Sequence, residues 1–170
     1  MSEHIGKYEI IEQVGEGSTS SVFLAYDPFA QRNVAIKRIH QSVLRDPERG
    51  KLYRHLLLNE ASLAGKLVHP HIVQIYDAFV ASDEGYVVME YVPGGTLERY
   101  TSADTLLAHR RLLEIVFKCT RALDHAYRHG ITHRDIKPAN ILLVAPDTKD
   151  IKLSDFGSAL FSASDTTQVS

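Results

Sequence analysis

The stretch His133-Arg134-Asp135-Ile136-Lys137-Pro138-Ala139-Asn140, followed by Asp155-Phe156-Gly157, decides how this chain is read. Asp135, Asn140 and Asp155 bring two carboxylates and an amide oxygen into one short span, a donor set that suits a hard cation preferring oxygen ligands. Regular elements flank it on both sides. Upstream, residues 106–129 read as a long amphipathic helix, with Leu112, Val116, Phe117, Leu123 and Tyr127 along one apolar stripe and Gly130 as its C-terminal cap. Downstream, 141–144 and 151–153 read as a small hairpin that hands the chain to Asp155. The decisive stretch is thus a loop held between a helix and a hairpin.

Toward the N-terminus the periodicity changes. Residues 8–14 and 21–26 read as two strands joined by Gly15-Glu16-Gly17-Ser18-Thr19-Ser20, a small-residue connection suited to an antiparallel hairpin. A third strand over 34–39 is rich in β-branched residues. Asp46-Pro47 then opens a helical region through Leu67, with Leu56, Glu60, Leu63 and Leu67 at three- and four-residue spacing. Strands over 72–80 and 86–91 complete the pattern: five antiparallel strands and one helix. Pro93-Gly94-Gly95 breaks it and marks a linker. The fold class read from this order is α+β, with one region over 1–92 and a second over 93–170.

Composition narrows the function classes. A hydrophobic fraction of 44% and a charged fraction of 24% are those of a globular protein. Nineteen basic against 21 acidic residues give a net charge of −2 with no Lys/Arg cluster, so no nucleic-acid partner is expected, and the apolar runs are too short for a membrane segment. The single Cys119 cannot form an internal disulfide and no Cys/His spacing suggests zinc, which points to a reducing compartment. The first residues lack an apolar signal core, and the expected location is cytoplasmic.

The 133–140 string together with Asp155-Phe156-Gly157 resembles the protein kinases, and Pro93-Gly94-Gly95-Thr96-Leu97 is similar to the eukaryotic-like, Hanks-type serine/threonine kinases of bacteria. The resemblance runs from about Tyr8 to the last residue. It implies a two-lobed kinase-like fold with ATP and Mg2+ as cofactors and protein Ser/Thr hydroxyls as acceptors. Asp135 would accept the hydroxyl proton, Lys137 would steady the transferring phosphate, and Asn140 and Asp155 would hold Mg2+. Val14, Gly15, Glu16, Gly17 and Ser18 would follow the phosphates, where the two glycines let the backbone come close. Lys37, on Val34-Ala35-Ile36-Lys37, would meet the α- and β-phosphates and pair with Glu60; a lysine on a solvated strand face is the bland alternative. Glu48, near the helix start, suits a helix-dipole role instead. Val22, Ala35, Ile141 and Leu142 would sandwich adenine, the carbonyl of Glu90 and the backbone of Val92 would read its edge, and Met89 would stand behind it, or simply pack in the core. Ser20 occupies the place of a usual third glycine and is small enough to keep the turn.

By the same resemblance Arg134 pairs with a phosphorylated residue downstream, and Thr166 and Thr167 are the candidate phosphosites. His125 and His129, at i and i+4, could bind a metal or simply face solvent. His69 and His71 flank Pro70 in a packing turn. The sequence stops shortly after Gly157, within what would be the activation loop, so a truncated helical second lobe is expected. A partner covering its exposed surface is expected with it. The alternative to an enzyme is a truncated, non-catalytic nucleotide-binding or interaction module, a pseudokinase-like fragment. A kinase of small molecules is the third reading, disfavoured by Lys137-Pro138 and the intact Asp-Phe-Gly.

Overall fold

The computed structural model describes residues 3–146, 148–156 and 160–161, with backbone alone at 60, 63, 64, 160 and 161. The chain forms two compact units: Met1–Ser62 with Ile75–Tyr91, and Leu63–Gln74 with Val92–Ser170.

The first unit is an antiparallel sheet. Its strands are β1 (His4–Ile5), β2 (Tyr8–Glu16), β3 (Ser20–Asp27), β4 (Arg32–Ile39), β5 (Ile75–Val80) and β6 (Gly85–Glu90), in the order β1-β2-β3-β4-β6-β5. Five of these answer to the five expected strands, and β1 adds a short sixth at the edge through His4↔Glu9 and Ile5↔Tyr8. Residues 72–74, expected in β5, instead belong to the second unit. The ladder between β2 and β3 skips Ile11 and Val14, two irregularities that leave both side chains about half exposed (54% and 46%).

Alternation sorts the sheet residues onto two faces. Tyr8, Ala25, Val34, Ile36 and Val88 join Ile5 and Tyr86 in one buried cluster. On the other face, Val87 and Ile39 pack with Leu44 and Leu57, with Met89 at the margin. Leu44 ends α1 (Gln41–Leu44) and Leu57 lies in α2 (Gly50–Ala64). α2 answers to the helix expected from Asp46 to Leu67, shorter at both ends, and α1 is an additional short helix before Asp46. The inward side of α2 runs through the buried Leu57 and the half-buried Tyr53 and Ala61, whereas Leu56, in the row with the expected helical spacing, is exposed. Both rows have helical spacing, and only contact with β6 selects between them.

The second unit centres on α3 (His109–Arg128), which ends with Gly130 at a φ of 74°, the left-handed cap expected there. The helix begins at His109, three residues after the expected start at 106, and a separate 3-10 turn precedes it at Ala103–Thr105. The expected stripe is corrected as well. Ile115, Cys119, Ala122 and Ala126 face inward, while Leu112, Val116, Phe117 and Tyr127 are exposed. Small side chains at 119, 122 and 126 let the helix lie close to β7 (Ile131–Thr132) and β9 (Ile151–Leu153), its neighbours in this unit. β9 pairs with β8 (Ile141–Leu143) as the expected hairpin, shorter by Val144. The 71–73 segment lies along β9, where Leu153 donates to the oxygen of His71 and accepts from the amide of Val73, each at 2.9 Å. β10 (Leu160–Phe161) pairs antiparallel with β7. No helix among the described residues is long and apolar enough to cross a membrane.

Candidate active site

In the second unit, the loop after β7 is laced from within. His133 is buried; the Asp135 amide donates to its Nδ1 at 3.2 Å, so the ring proton sits on Nε2, which donates to the carbonyl of Ser154 at 2.9 Å. Phe156 packs its ring 4.5 Å from the imidazole. Lys137 is extended, as a residue before proline prefers. Pro138–Asn140 then forms a 3-10 turn closed by the Asn140 amide donating to the Lys137 carbonyl at 2.9 Å. That turn carries the buried Asn140 side chain back to Asp135, where Nδ2 donates to the main-chain oxygen at 2.8 Å and to carboxylate Oδ2 at 3.1 Å.

Lys137 Nζ lies 2.9 Å from the same Oδ2. The lysine hydrogen bond is the first cause holding the Asp135 carboxyl below the usual carboxylate range, and the Asn140 bond adds to it. The lysine ammonium is raised in turn by Asp135. Asp135 is thus an ionised, oriented acceptor and a weak base. Such a group aligns a hydroxyl and takes its proton late in a transfer.

Asn140 and Asp155 are tied through one residue. Ser154 donates to the Asn140 carbonyl from its amide at 3.0 Å and from its hydroxyl at 3.3 Å. Asp155 has a φ of 64° and Arg134 one of 67°, left-handed values that cost a non-glycine residue roughly 1–3 kcal/mol and persist where surrounding bonds enforce them. With the Asn140 amide hydrogens committed to Asp135, its oxygen is the acceptor left to offer. An amide oxygen and a carboxylate on adjoining backbone fit a magnesium ion.

Ile141 is buried and Leu142 half-buried on β8. The backbone at 94–96 runs beside them: Gly95 accepts from the Leu143 amide at 2.8 Å and Thr96 bridges Leu142. A Cβ on Gly94 would stand 2.1 Å from the Leu143 carbonyl oxygen, so only glycine fits there.

In the first unit, register brings the expected residues together. Lys37 lies opposite Val22 in β3 and Val87 in β6, and Ala35 lies opposite Leu24 and Met89. Cross-strand partners share a face, so Val22, Ala35, Lys37 and Met89 all stand on the α2 side of the sheet. Met89 packs against the buried cluster there, which satisfies its bland reading. Glu60 lies within α2; its side chain is outside the described residues, as are Thr166 and Thr167. Glu90 ends β6 opposite Val34, and Val92 follows in the second unit.

The glycine hairpin is tighter than expected. Gly15 and Glu16 extend β2 and Ser20 starts β3, leaving 17–19 as the turn, closed by the Gly17 amide donating to Ser20 at 2.8 Å. A Cβ on Gly17 would press within 3.3 Å of that same oxygen.

Residues 8–170 match the family model of the protein kinase domain. The chain belongs to the protein kinase family. It is 40% identical over 161 residues to the serine/threonine-protein kinase PrkC of Bacillus subtilis (95% of this chain, 24% of PrkC). It is also 40% identical over 157 residues to the serine/threonine-protein kinase PknB of Mycolicibacterium smegmatis (90% of this chain, 24% of PknB). The chain spans about a quarter of the length of these curated relatives. The crystal structure of the Mycobacterium tuberculosis PknI kinase domain is similar to it with a TM-score of 0.74 and 28% identity, covering 92% of this chain and 62% of that one.

Two residues that brace the candidate loop, His133 and Ser154, carry no expectation from the sequence. The His133 ring and the Ser154 hydroxyl both bond main-chain atoms, and a hydrogen bond to a backbone oxygen 14 or 21 residues away leaves no periodic or compositional trace.

Proposed function

We propose that the protein transfers the γ-phosphoryl group of ATP to Ser or Thr hydroxyls of protein substrates. The observation that carries this is the Asp135 carboxylate, held by Asn140 Nδ2 and Lys137 Nζ together at hydrogen-bond distance. Kinship with two bacterial serine/threonine-protein kinases at 40% identity supports it.

In this reading 1–92 and 93–170 are the sequence spans of the two lobes. Asp135 orients the acceptor hydroxyl and takes its proton, and Lys137 steadies the phosphoryl group between them. Asn140 and Asp155 hold Mg2+, which when bound offsets charge on the β- and γ-phosphates. Lys37, paired with Glu60, meets the α- and β-phosphates, and backbone from Val14 to Ser18 follows them. Val22, Ala35, Ile141 and Leu142 enclose adenine, with Met89 behind it and the backbones of Glu90 and Val92 at its edge. Thr166 or Thr167 is the proposed autophosphorylation site, to be paired with Arg134. Phosphopeptide mapping that found both unmodified in active protein would dismiss that point.

The first experiment is Mg2+-ATP binding by thermal shift beside Asp155→Ala. A metal-dependent rise in Tm that the variant loses is expected, followed by transfer of labelled γ-phosphate to a Ser/Thr peptide. A folded protein with no shift at millimolar ATP would overturn the reading.

A further inference from the structure

The phosphate-facing hairpin carries a carboxylate, Glu16, between its two glycines. A negative charge there repels a triphosphate unless something holds and offsets it. Each oxygen of Glu16 is held from a different flanking segment. Oε1 lies 3.1 Å from Nε2 of His40, just past the end of β4, and Oε2 accepts from Nε2 of Gln13 on β2. His40 reaches the returning strand as well, where its Nε2 stands 2.9 Å from Oγ of Ser21. Its main chain grips the turn, the amide donating to the Thr19 carbonyl at 2.9 Å. One residue thus touches both strands and the tip of the hairpin, and all of these partners lie in the first unit.

We infer that His40 is a positioning residue for the nucleotide phosphates: it fixes the glycine hairpin through Ser21 and Thr19 and keeps the Glu16 carboxylate away from the phosphate path. The inference rests on the phosphoryl-transfer reading and adds to it a residue outside the family motifs quoted above. His40 touches no substrate in this account and acts through Glu16 and the hairpin. Its effect therefore falls on phosphate binding and leaves nucleoside binding alone, because adenosine carries no charge for Glu16 to repel.

The test compares dissociation constants for Mg2+-ATP and for adenosine, by calorimetry, in the protein and in His40→Ala, His40→Gln, Glu16→Ala and the Glu16→Ala/His40→Ala pair. His40→Ala should weaken Mg2+-ATP about three- to fivefold, the scale of a part-exposed charge-assisted contact, and leave adenosine unchanged. His40→Gln, which keeps a donor, should recover much of the loss. In the Glu16→Ala background the effect of His40→Ala should shrink, since coupled residues are non-additive. Equal losses for ATP and adenosine would indicate general damage and overturn the proposal, as would unchanged ATP affinity or full additivity of the pair. Failure of the unmodified protein to bind Mg2+-ATP would overturn the phosphoryl-transfer reading and this proposal with it.

Discussion

Asn140 spends both amide hydrogens on a single neighbour, donating from Nδ2 to the main-chain oxygen of Asp135 at 2.8 Å and to its carboxylate at 3.1 Å. The pairing fixes the carboxylate and, by elimination, points the amide oxygen to other partners. Asn140→Ala removes a buried hydrogen-bonding group and should cost about 1–3 kcal/mol in urea unfolding. Freed from its donor, Asp135 loses its aim, and phosphoryl transfer should fall about 100-fold or more. Steady-state kinetics beside an unfolding curve separates the two losses.

Lys137 governs the acid limb of the same group. Its hydrogen bond is the main cause lowering the Asp135 carboxyl, so the carboxylate stays ionised to pH values below the ordinary carboxylate range. Removing the ammonium in Lys137→Met raises that pKa toward its usual value. The acid limb of kcat/KM should then move to higher pH, with the rate on the plateau lowered too. An acid limb at unchanged pH in the variant would show that another group sets it.

Three clustered histidines, His69, His71 and His125, should make the second unit acid-sensitive. The rings of His69 and His71, His69 and His125, and His125 and His129 lie 5.4, 5.0 and 4.4 Å apart. His69, His71 and His125 are all held below the usual histidine range, first by burial. Cations add to this, Arg121 and Lys152 at His69, Lys118 and Arg121 at His71, and Arg128 at His125, while Asp150 and Asp124 oppose it. A lowered folded pKa means that the unfolded chain binds protons first. The stabilisation from these rings is present above the unfolded pKa and is lost as pH falls through it toward the folded values. Thermal melts at pH 8 and pH 5.5 should show a lower Tm in acid, and His125→Phe should reduce the difference.

Gly94 is set by sterics. A methyl group there would enter the Leu143 carbonyl, 2.1 Å away, and push apart the backbone that holds β8. Gly94→Ala should destabilise by about 1–3 kcal/mol, the usual cost of overpacking. The urea midpoint measures it, and a midpoint within error of the parent would show that the 94–96 segment yields freely.

Much of the candidate site could be read directly because it is local in sequence. Asp135, Lys137 and Asn140 fall within six residues, and a proline-started turn returns the amide to the carboxylate whatever the distant packing. The strands over 34–39 and 86–91 were equally plain from β-branched and apolar runs. Across the sheet, Lys37 came to stand by Val22 and Val87 through ladder register alone. The clamp of Gln13 and His40 on Glu16 joins β2 to the end of β4, and no spacing rule ties positions 13, 16 and 40 together.

The sequence by itself determined that α3 would be a helix ending at Gly130, that the loop after it would carry the oxygen donors, and that a hairpin would deliver Asp155. Backbone propensity, capping and motif spacing act over a few residues, and they were sufficient for these. Only the tertiary structure decided which side of a helix is buried. On α3, residues 112, 116, 123 and 127 share the 3.6-residue rhythm with 115, 119, 122 and 126. The row with cysteine and alanines lies inward, while Leu112, Val116 and Tyr127 of the more apolar row are exposed and Leu123 is half-buried. Periodicity gives the angle between side chains and not the direction of the partner surface. Close approach to β7 and β9 favours small residues, and that preference arises only once distant segments have met.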